Sequence, residues 1–376
     1  MASDISIGDD TAAAPVGEEA VVAAIQSATG PATLGPGLAR RRLVGFMLAH
    51  EQFTVPQLAE FATEAAEAGF GLLATSDHFQ PWQANERHTG AAWVTLGALG
   101  AKAEPAWIGT TVTCPTLRYH PAVVAEAFAT LAQLFPGRVF LGVGSGEALN
   151  ERAATGEWPD WQERWDRLAE AITVIRALWS GEPVTHRGKY YAVEGKLFDP
   201  PPQPIPLLAA ANGRKSMRLA GRHGDGLVTD PLTWRTFKSE WEAGARDAGK
   251  NPAEMPVLVE QFVVVGDEAE AAKSARLWRF LPKAFKAYYD ITDPAEIQRQ
   301  AEAELPLEKV YADWSVGIDP EIHVAAIRRL FDTGATLVNI HSGQADQKKV
   351  IEFYGRHVLP RLSDVVHPVN GAGDHG

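Results

Sequence analysis

The sequence predicts a single (β/α)8 barrel with insertions, and three observations carry that prediction. Eight short apolar runs recur along the 376 residues, each followed by a stretch of helical period. The runs are apolar at consecutive rather than alternate positions, the pattern of parallel strands buried on both faces and covered by helices. The first strand-to-helix turn, "HEQFTVPQ" (50–57), contains no glycine, which disfavours an open doubly wound sheet with its glycine fingerprint. A chain of this length accommodates one large barrel with insertions.

The first strand is "LVGFMLA" (43–49). It follows Arg40-Arg41-Arg42, a pairing that resembles an export signal, but only seven apolar-type residues precede His50 and Glu51, so a core strand is expected. The second strand is "GLLATS" (71–76), the third "WIGTTVT" (107–113) and the fourth "VFLGVGS" (139–145). After the fourth, Trp161, Trp165, Leu168, Ile172, Ile175 and Trp179 recur at spacings of three and four, which puts them on one face of a helix packed on the sheet. The remaining strands are "PLLAA" (206–210), "GLVTD" (226–230), "VLVEQFVVVG" (257–266) and "TLVNIHS" (336–342). Residues 183–204 predict a hairpin and a Pro-rich loop, and 282–318 at least one extra helix; insertions of this kind shape substrate pockets. Residues 1–38 are expected to be a flexible extension in which "GEEAVVAAIQSA" could make a short helix, 39–362 the barrel, and 363–376 a flexible tail.

Composition narrows the partners. Acidic residues outnumber basic ones 47 to 35, giving a net charge of −12 with no concentrated basic patch, so neither nucleic acid nor an anionic membrane surface is expected. No run approaches the ~18 apolar residues of a membrane span. The single cysteine, Cys114, makes no internal disulfide, and a cytoplasmic location is expected. No metal is expected.

In a parallel barrel the chemistry sits at the C-terminal ends of the strands. There the sequence places His50 and Glu51, then Asp77, His78 and Trp82, then Thr113 and Cys114, then Ser145, Gly146, Glu147 and Asn150, then Asn212 to Ser216, and finally His341 and Ser342. His78, in "SDHFQPW", is the group suited to exchanging a proton near neutral pH, with Asp77 and Glu51 expected to orient its ring. Glu147 has two readings, a carboxyl that exchanges a proton or a first-turn residue of a helix at "EALNERAA". "GVGSGEALN" (142–150) lacks the spacing of a dinucleotide or phosphate-loop fingerprint. "AANGRKS" (210–216) runs from a strand end into a helix start and offers N–H groups with Arg214 and Lys215 to an anion, or else a solvated cap.

The stretches "SDHFQPW", "GTTVTCPTLRYHPAVVAEAFATL", "PGRVFLGVGSGEALNE" and "AGRHGDG" together resemble the deazaflavin-dependent branch of the bacterial luciferase-like superfamily, in particular the glucose-6-phosphate dehydrogenase family that uses coenzyme F420. The resemblance spans about residues 43–360. It implies that Asp77, Cys114, Ser145, Gly146, Asn150, Asn212, Gly213, Lys215 and Ser216 hold the deazaflavin and its phosphate-bearing tail, and that Thr111-Val112 forms a non-proline cis peptide behind the ring. Cys114 stands where the family has threonine. His78 matches the catalytic histidine, Glu51 its orienting partner, Glu147 the carboxylate that exchanges a proton with the deazaflavin, and Trp82 the aromatic lining the reaction site. Homodimers are usual among such barrels.

Sugar-phosphate members grip the phosphate with two lysines and an arginine, and the aligned positions here read Thr233, Tyr288 and Asp313, although Lys283 or Lys286 lies near the second. Asp313 repels a phosphate. "LWRF", "EIQRQAE" and "PLEKVYADWSVGIDP" look closer to the hydroxymycolic acid dehydrogenase branch, which is typically exported. The resemblance therefore implies an F420-dependent alcohol dehydrogenase that transfers a hydride from a non-phosphorylated secondary alcohol to the deazaflavin, giving a ketone. The alternatives are a sugar-6-phosphate dehydrogenase, an FMN-dependent luciferase-like monooxygenase, and a coenzyme-binding protein without turnover.

Overall fold

A computed structural model describes Leu38 and residues 41–367. The rest of the expected extension, its short helix and residues 368–376 lie outside the described residues. Eight parallel strands close into a barrel: β1 (Leu43–Leu48), β2 (Leu72–Thr75), β3 (Trp107–Thr113), β4 (Val139–Val143), β7 (Leu207–Ala210), β8 (Gly226–Thr229), β9 (Val257–Val264) and β11 (Leu337–His341). Neighbours pair in chain order, β8 pairs with β9, β9 with β11, and β11 closes on β1 through Leu43↔Leu337 to Phe46↔Ile340. Every apolar run read from the sequence is one of these strands.

The strands are apolar throughout because each has two buried faces. One face fills the barrel interior with Leu43, Met47, Leu72, Ala74, Trp107, Phe140, Leu208, Val228, Leu258 and Leu337. The other packs against the surrounding helices, as Val44, Phe46, Val257, Val259, Val338 and Ile340 do. The period of two along each strand decides which side chains look inward, and so which residues near the strand ends line the mouth.

The helices are α1 (Val55–Glu67), α2 (Ala92–Leu99), α3 (Pro121–Leu134), the short α4 (Glu151–Thr155), α5 (Trp161–Trp179), α6 (Arg214–His223), α7 (Pro231–Asp247), α8 (Glu268–Ala275), α9 (Pro294–Glu304), α10 (Leu307–Val310), α11 (Pro320–Asp332) and α12 (Gln347–Phe353). Helix α5 starts where the Asp160 carboxylate accepts the Glu163 N–H, and buries Trp165, Leu168, Ile172 and Ile175 on the face the spacing marks out. Each such side chain contributes about 1.5–3 kcal/mol by leaving water. Residues 183–204 contain the antiparallel hairpin β5 (Val184–Arg187) and β6 (Ala192–Gly195). Residues 282–318 contain α9, α10 and the two-residue strand β10 (Ser315–Val316), which lengthens the sheet beside β9. Ser363 to His367 fold back on the barrel, where His367 N–H donates to Arg42 O at 2.9 Å. Among the described residues no helix is long and apolar enough to cross a membrane.

Candidate active site

The mouth of the barrel gathers the segments after β1, β2 and β4. Glu51 follows β1 and is buried, and Ser76 Oγ donates to its Oε2 at 2.6 Å. His78 follows β2, and its Nε2 lies 3.4 Å from Glu51 Oε1. On the other side of the ring, Nδ1 lies 3.2 Å from Gln80 O and 3.3 Å from Asn150 Nδ2. Asn150 also donates to Glu147 Oε2 at 3.2 Å, and its Oδ1 accepts the N–H groups of Phe79 and Gln80. One asparagine thus ties the β2 segment to the β4 loop and stands between His78 and Glu147. Glu147 lies before α4 rather than in its first turn.

Gln80 adds a second tie, donating through Nε2 to Leu149 O at 2.8 Å and Thr292 O at 3.1 Å. Trp82 is buried, stacked on Phe280 at 4.8 Å and edge-on to Phe285 at 5.9 Å, with the His78 ring 6.1 Å away. Its indole is thus held by Phe280, just before the 282–318 insertion, and by Phe285 within it.

Charges follow from this burial. Burial alone raises the Glu51 carboxyl, but the His78 charge, the Ser76 hydroxyl and a backbone N–H outweigh it and hold the group below the ordinary value. Glu86, nearby and buried, accepts the Gln83 N–H through Oε2 at 2.8 Å, which does not offset its surroundings. Burial and the Glu51 charge push its carboxyl well above the ordinary value. Glu151 is pushed up to about 7 by burial, against the pull of Arg118.

Asp77 does not orient His78. Adjacent residues leave a strand on opposite sides, and Asp77 turns to Arg118 Nη2 at 3.0 Å, Tyr119 OH at 3.2 Å and Thr113 Oγ1 at 2.8 Å. Cys114 is buried, with Sγ 3.1 Å from Thr116 Oγ1, and burial together with Glu151 raises its thiol well above the ordinary value. At the start of α6, Ser216 Oγ accepts the N–H groups of Asn212 and Gly213 at 3.3 and 3.1 Å. Arg214 pairs with Glu240 and Lys215 sits over the Trp161 ring at 5.9 Å, so the serine cap and these partners meet groups that the sequence offered to an anion.

Small and apolar residues meet where β3, β4 and β7 end. The Thr111–Val112 peptide is cis, and Val112 and Ala210 are partly exposed on the inner face of the barrel. Gly144 lies against Val112, where an added Cβ would sit 2.7 Å from Val112 Cγ2. Gly146 has φ +80°, and Ser145 Oγ is 3.1 Å from Tyr289 OH. A seat built from Val112, Gly144 and Ala210, rimmed by Ser145, Glu147 and Asn150, suits a planar ring with polar edges.

Sequence reasoning missed Gln80, Arg118 and Tyr289. Gln80 lay inside the quoted "SDHFQPW" with its function unassigned, and Arg118 lay inside "TLRYHP". Tyr289 reaches Ser145 across 144 residues, and no local pattern signals so distant a contact.

The family model of the luciferase-like monooxygenases matches residues 41–337, and the chain belongs to that family. It is 47% identical over 324 residues to the F420-dependent hydroxymycolic acid dehydrogenase of Mycobacterium tuberculosis, covering 85% of this chain and 88% of that one. It is 41% identical over 325 residues to the F420-dependent glucose-6-phosphate dehydrogenase of Microbacterium testaceum, covering 85% and 96%. The structure of an F420-dependent secondary alcohol dehydrogenase in complex with an F420-acetone adduct superposes with a TM-score of 0.80 at 33% identity, covering 85% of this chain and 98% of that one.

Proposed function

We propose that the protein oxidises a non-phosphorylated secondary alcohol to a ketone with coenzyme F420 as the hydride acceptor. The observation that carries this function is the linked set Glu51, His78, Gln80, Asn150 and Glu147, together with the small apolar cluster where β3, β4 and β7 end. Relatives and a structural neighbour named as F420-dependent dehydrogenases support the choice of coenzyme. Val112, Gly144 and Ala210 would carry its ring, Thr111, Cys114, Ser145, Gly146 and Asn150 would border it, and Asn212, Gly213, Lys215 and Ser216 would meet its tail. When bound, the coenzyme supplies a ring carbon that accepts a hydride.

The protein's own part is proton handling and water exclusion. The His78 ring has Glu51 Oε1 3.4 Å from Nε2 and Gln80 O 3.2 Å from Nδ1, so a proton gained by the ring finds an acceptor on each side. The alcohol's hydroxyl proton goes to the His78 ring, and the Glu51 carboxylate beside Nε2 stabilises the imidazolium so formed. The carbinol C–H leaves as hydride while the C=O bond forms. Glu147, oriented by Asn150, would be the separate acid able to exchange a proton with the coenzyme. Trp82 and Phe280 keep water from the reacting carbon.

Two contacts disfavour a sugar phosphate. Lys283 Nζ is held by Glu304 Oε2 at 2.6 Å, and Tyr288 is fully buried with its hydroxyl 3.3 Å from the same carboxylate. Anaerobic titration of the coenzyme-loaded protein against secondary alcohols and hexose phosphates tests the choice. Loss of the oxidised coenzyme's absorbance with alcohols, and a kcat/KM for hexose 6-phosphates at least about 100-fold lower, is expected from two or more missing charge-assisted bonds. Hexose phosphates outperforming every alcohol would reverse the assignment.

A further inference from the structure

On the side of the mouth formed by β9 and β11, a set of polar side chains is left over from the chemistry above. Leu337 and Leu258 belong to the barrel interior, and the period of two puts Asn339, His341, Glu260 and Phe262 on the same inward faces. Asn339 and Glu260 are register partners, as are His341 and Phe262. His341 Nδ1 lies 2.7 Å from Glu260 Oε1. Its ring is 2% exposed, stacked on Phe262 at 4.1 Å and edge-on to Trp278 at 4.3 Å.

Two of these groups are buried with no partner among the described residues: His341 Nε2 and Asn339 Oδ1. Leaving a buried polar atom unpaired is costly, so such atoms in a native barrel await a ligand or water. Nδ1 faces a carboxylate, which only accepts, so Nδ1 carries the hydrogen and Nε2 of the neutral ring is an acceptor. Asn339 Nδ2 is turned to Met47 Sδ at 3.6 Å, which leaves its Oδ1, also an acceptor. The Glu260 side chain remains 23% exposed, connecting the set to the open mouth.

We propose that Glu260, Asn339 and His341 form a second substrate subsite that recognises a hydrogen-bond donor, in the first place a second hydroxyl group of the alcohol. The inference rests on the proposed dehydrogenase function and adds a substrate class to it. Three acceptors, one of them a carboxylate, select a neutral donor and reject an anion. The preferred substrate is therefore a diol or hydroxylated ring rather than a simple alkanol or a phosphate ester.

The kinetic test compares cyclohexanol with the 1,2-, 1,3- and 1,4-cyclohexanediols. In the wild type at least one diol exceeds cyclohexanol in kcat/KM by about 10-fold or more, the worth of a hydrogen bond to a charged group. In His341→Phe, which keeps the aromatic stack, and in Glu260→Gln, the ratio of diol to cyclohexanol falls to near 1. A wild-type ratio near 1 for every diol, or an unchanged ratio in both variants, overturns the subsite. A second measurement is independent of turnover: 15N NMR of histidine-labelled protein, with His341 assigned by its loss in His341→Phe. Nε2 is expected to be unprotonated and to shift on addition of a diol but not of cyclohexanol. A protonated Nε2, or no shift with any diol, overturns the proposal even if alcohols are oxidised. A diol-dependent shift without oxidation of any alcohol leaves the subsite standing and defeats the dehydrogenase function instead.

Discussion

His78 Nε2 and Glu51 Oε1 lie 3.4 Å apart, brought together from the ends of β2 and β1, strands that pair in parallel through Gly45↔Leu72 to Leu48↔Thr75. That register fixes the height of both residues at the mouth, and Ser76 fixes the Glu51 carboxylate from the other side at 2.6 Å.

Glu51→Gln removes the charge that stabilises the imidazolium and keeps an oxygen to accept the Ser76 hydroxyl. kcat/KM for the alcohol is expected to fall about 100-fold, in the range of general acid–base contributions, with the coenzyme dissociation constant changed little. Stopped-flow absorbance of the coenzyme and a fluorescence titration read the two quantities separately. A variant as active as the wild type would remove Glu51 from the mechanism.

The proposed seat for the coenzyme ring depends on Gly144. In Gly144→Ala the new methyl would stand 2.7 Å from Val112 Cγ2, so the Val112 side chain must shift. Overpacking of this kind costs about 1–3 kcal/mol, and the coenzyme is expected to bind about 10-fold more weakly while the thermal midpoint drops by only a few degrees. Unchanged affinity would place the ring elsewhere on the rim.

Much of this was legible in the sequence. All eight strands were, because a strand buried on both faces leaves an uninterrupted apolar run, and so was the inward set of α5. The wrong orienting partner for His78 has a physical cause. Asp77 is next to it in the chain, but neighbouring residues at a strand end point apart, and Asp77 faces Arg118 while Glu51 comes from the adjacent strand. Residues 212–216 were legible as a helix start, open between an anion site and a solvated cap; the Ser216 cap and the Arg214–Glu240 pair are contacts made in three dimensions that the sequence could not choose between. The acceptors Glu260 and Asn339 lay unremarked inside strands whose inward face only barrel closure defines.

Stability should fall in mild acid through His223, at the end of α6. Burial, then the charges of Arg222, Lys250 and Arg176, lower its imidazole to about 4. The unfolded chain takes up the proton near pH 6.5 and the folded one only near 4, so the contribution is present above pH 6.5 and lost as the pH falls through about 4. His223→Gln should flatten that decline by about 2 kcal/mol, allowing for partial exposure of the ring. Chemical denaturation at pH 7 and pH 4.5 reads the difference, and parallel curves for the two proteins would show that another group governs the acid limb.

The central claim is that His78 takes the hydroxyl proton of the alcohol and does not hold the coenzyme. Its most direct test is His78→Ala, assayed anaerobically for alcohol-dependent loss of the oxidised coenzyme's absorbance and, in the same preparation, for coenzyme binding by fluorescence. The claim predicts a fall in kcat/KM of about 100- to 10,000-fold with the dissociation constant of the coenzyme within a few-fold of wild type. Weakened coenzyme binding with turnover intact at saturating coenzyme would contradict it.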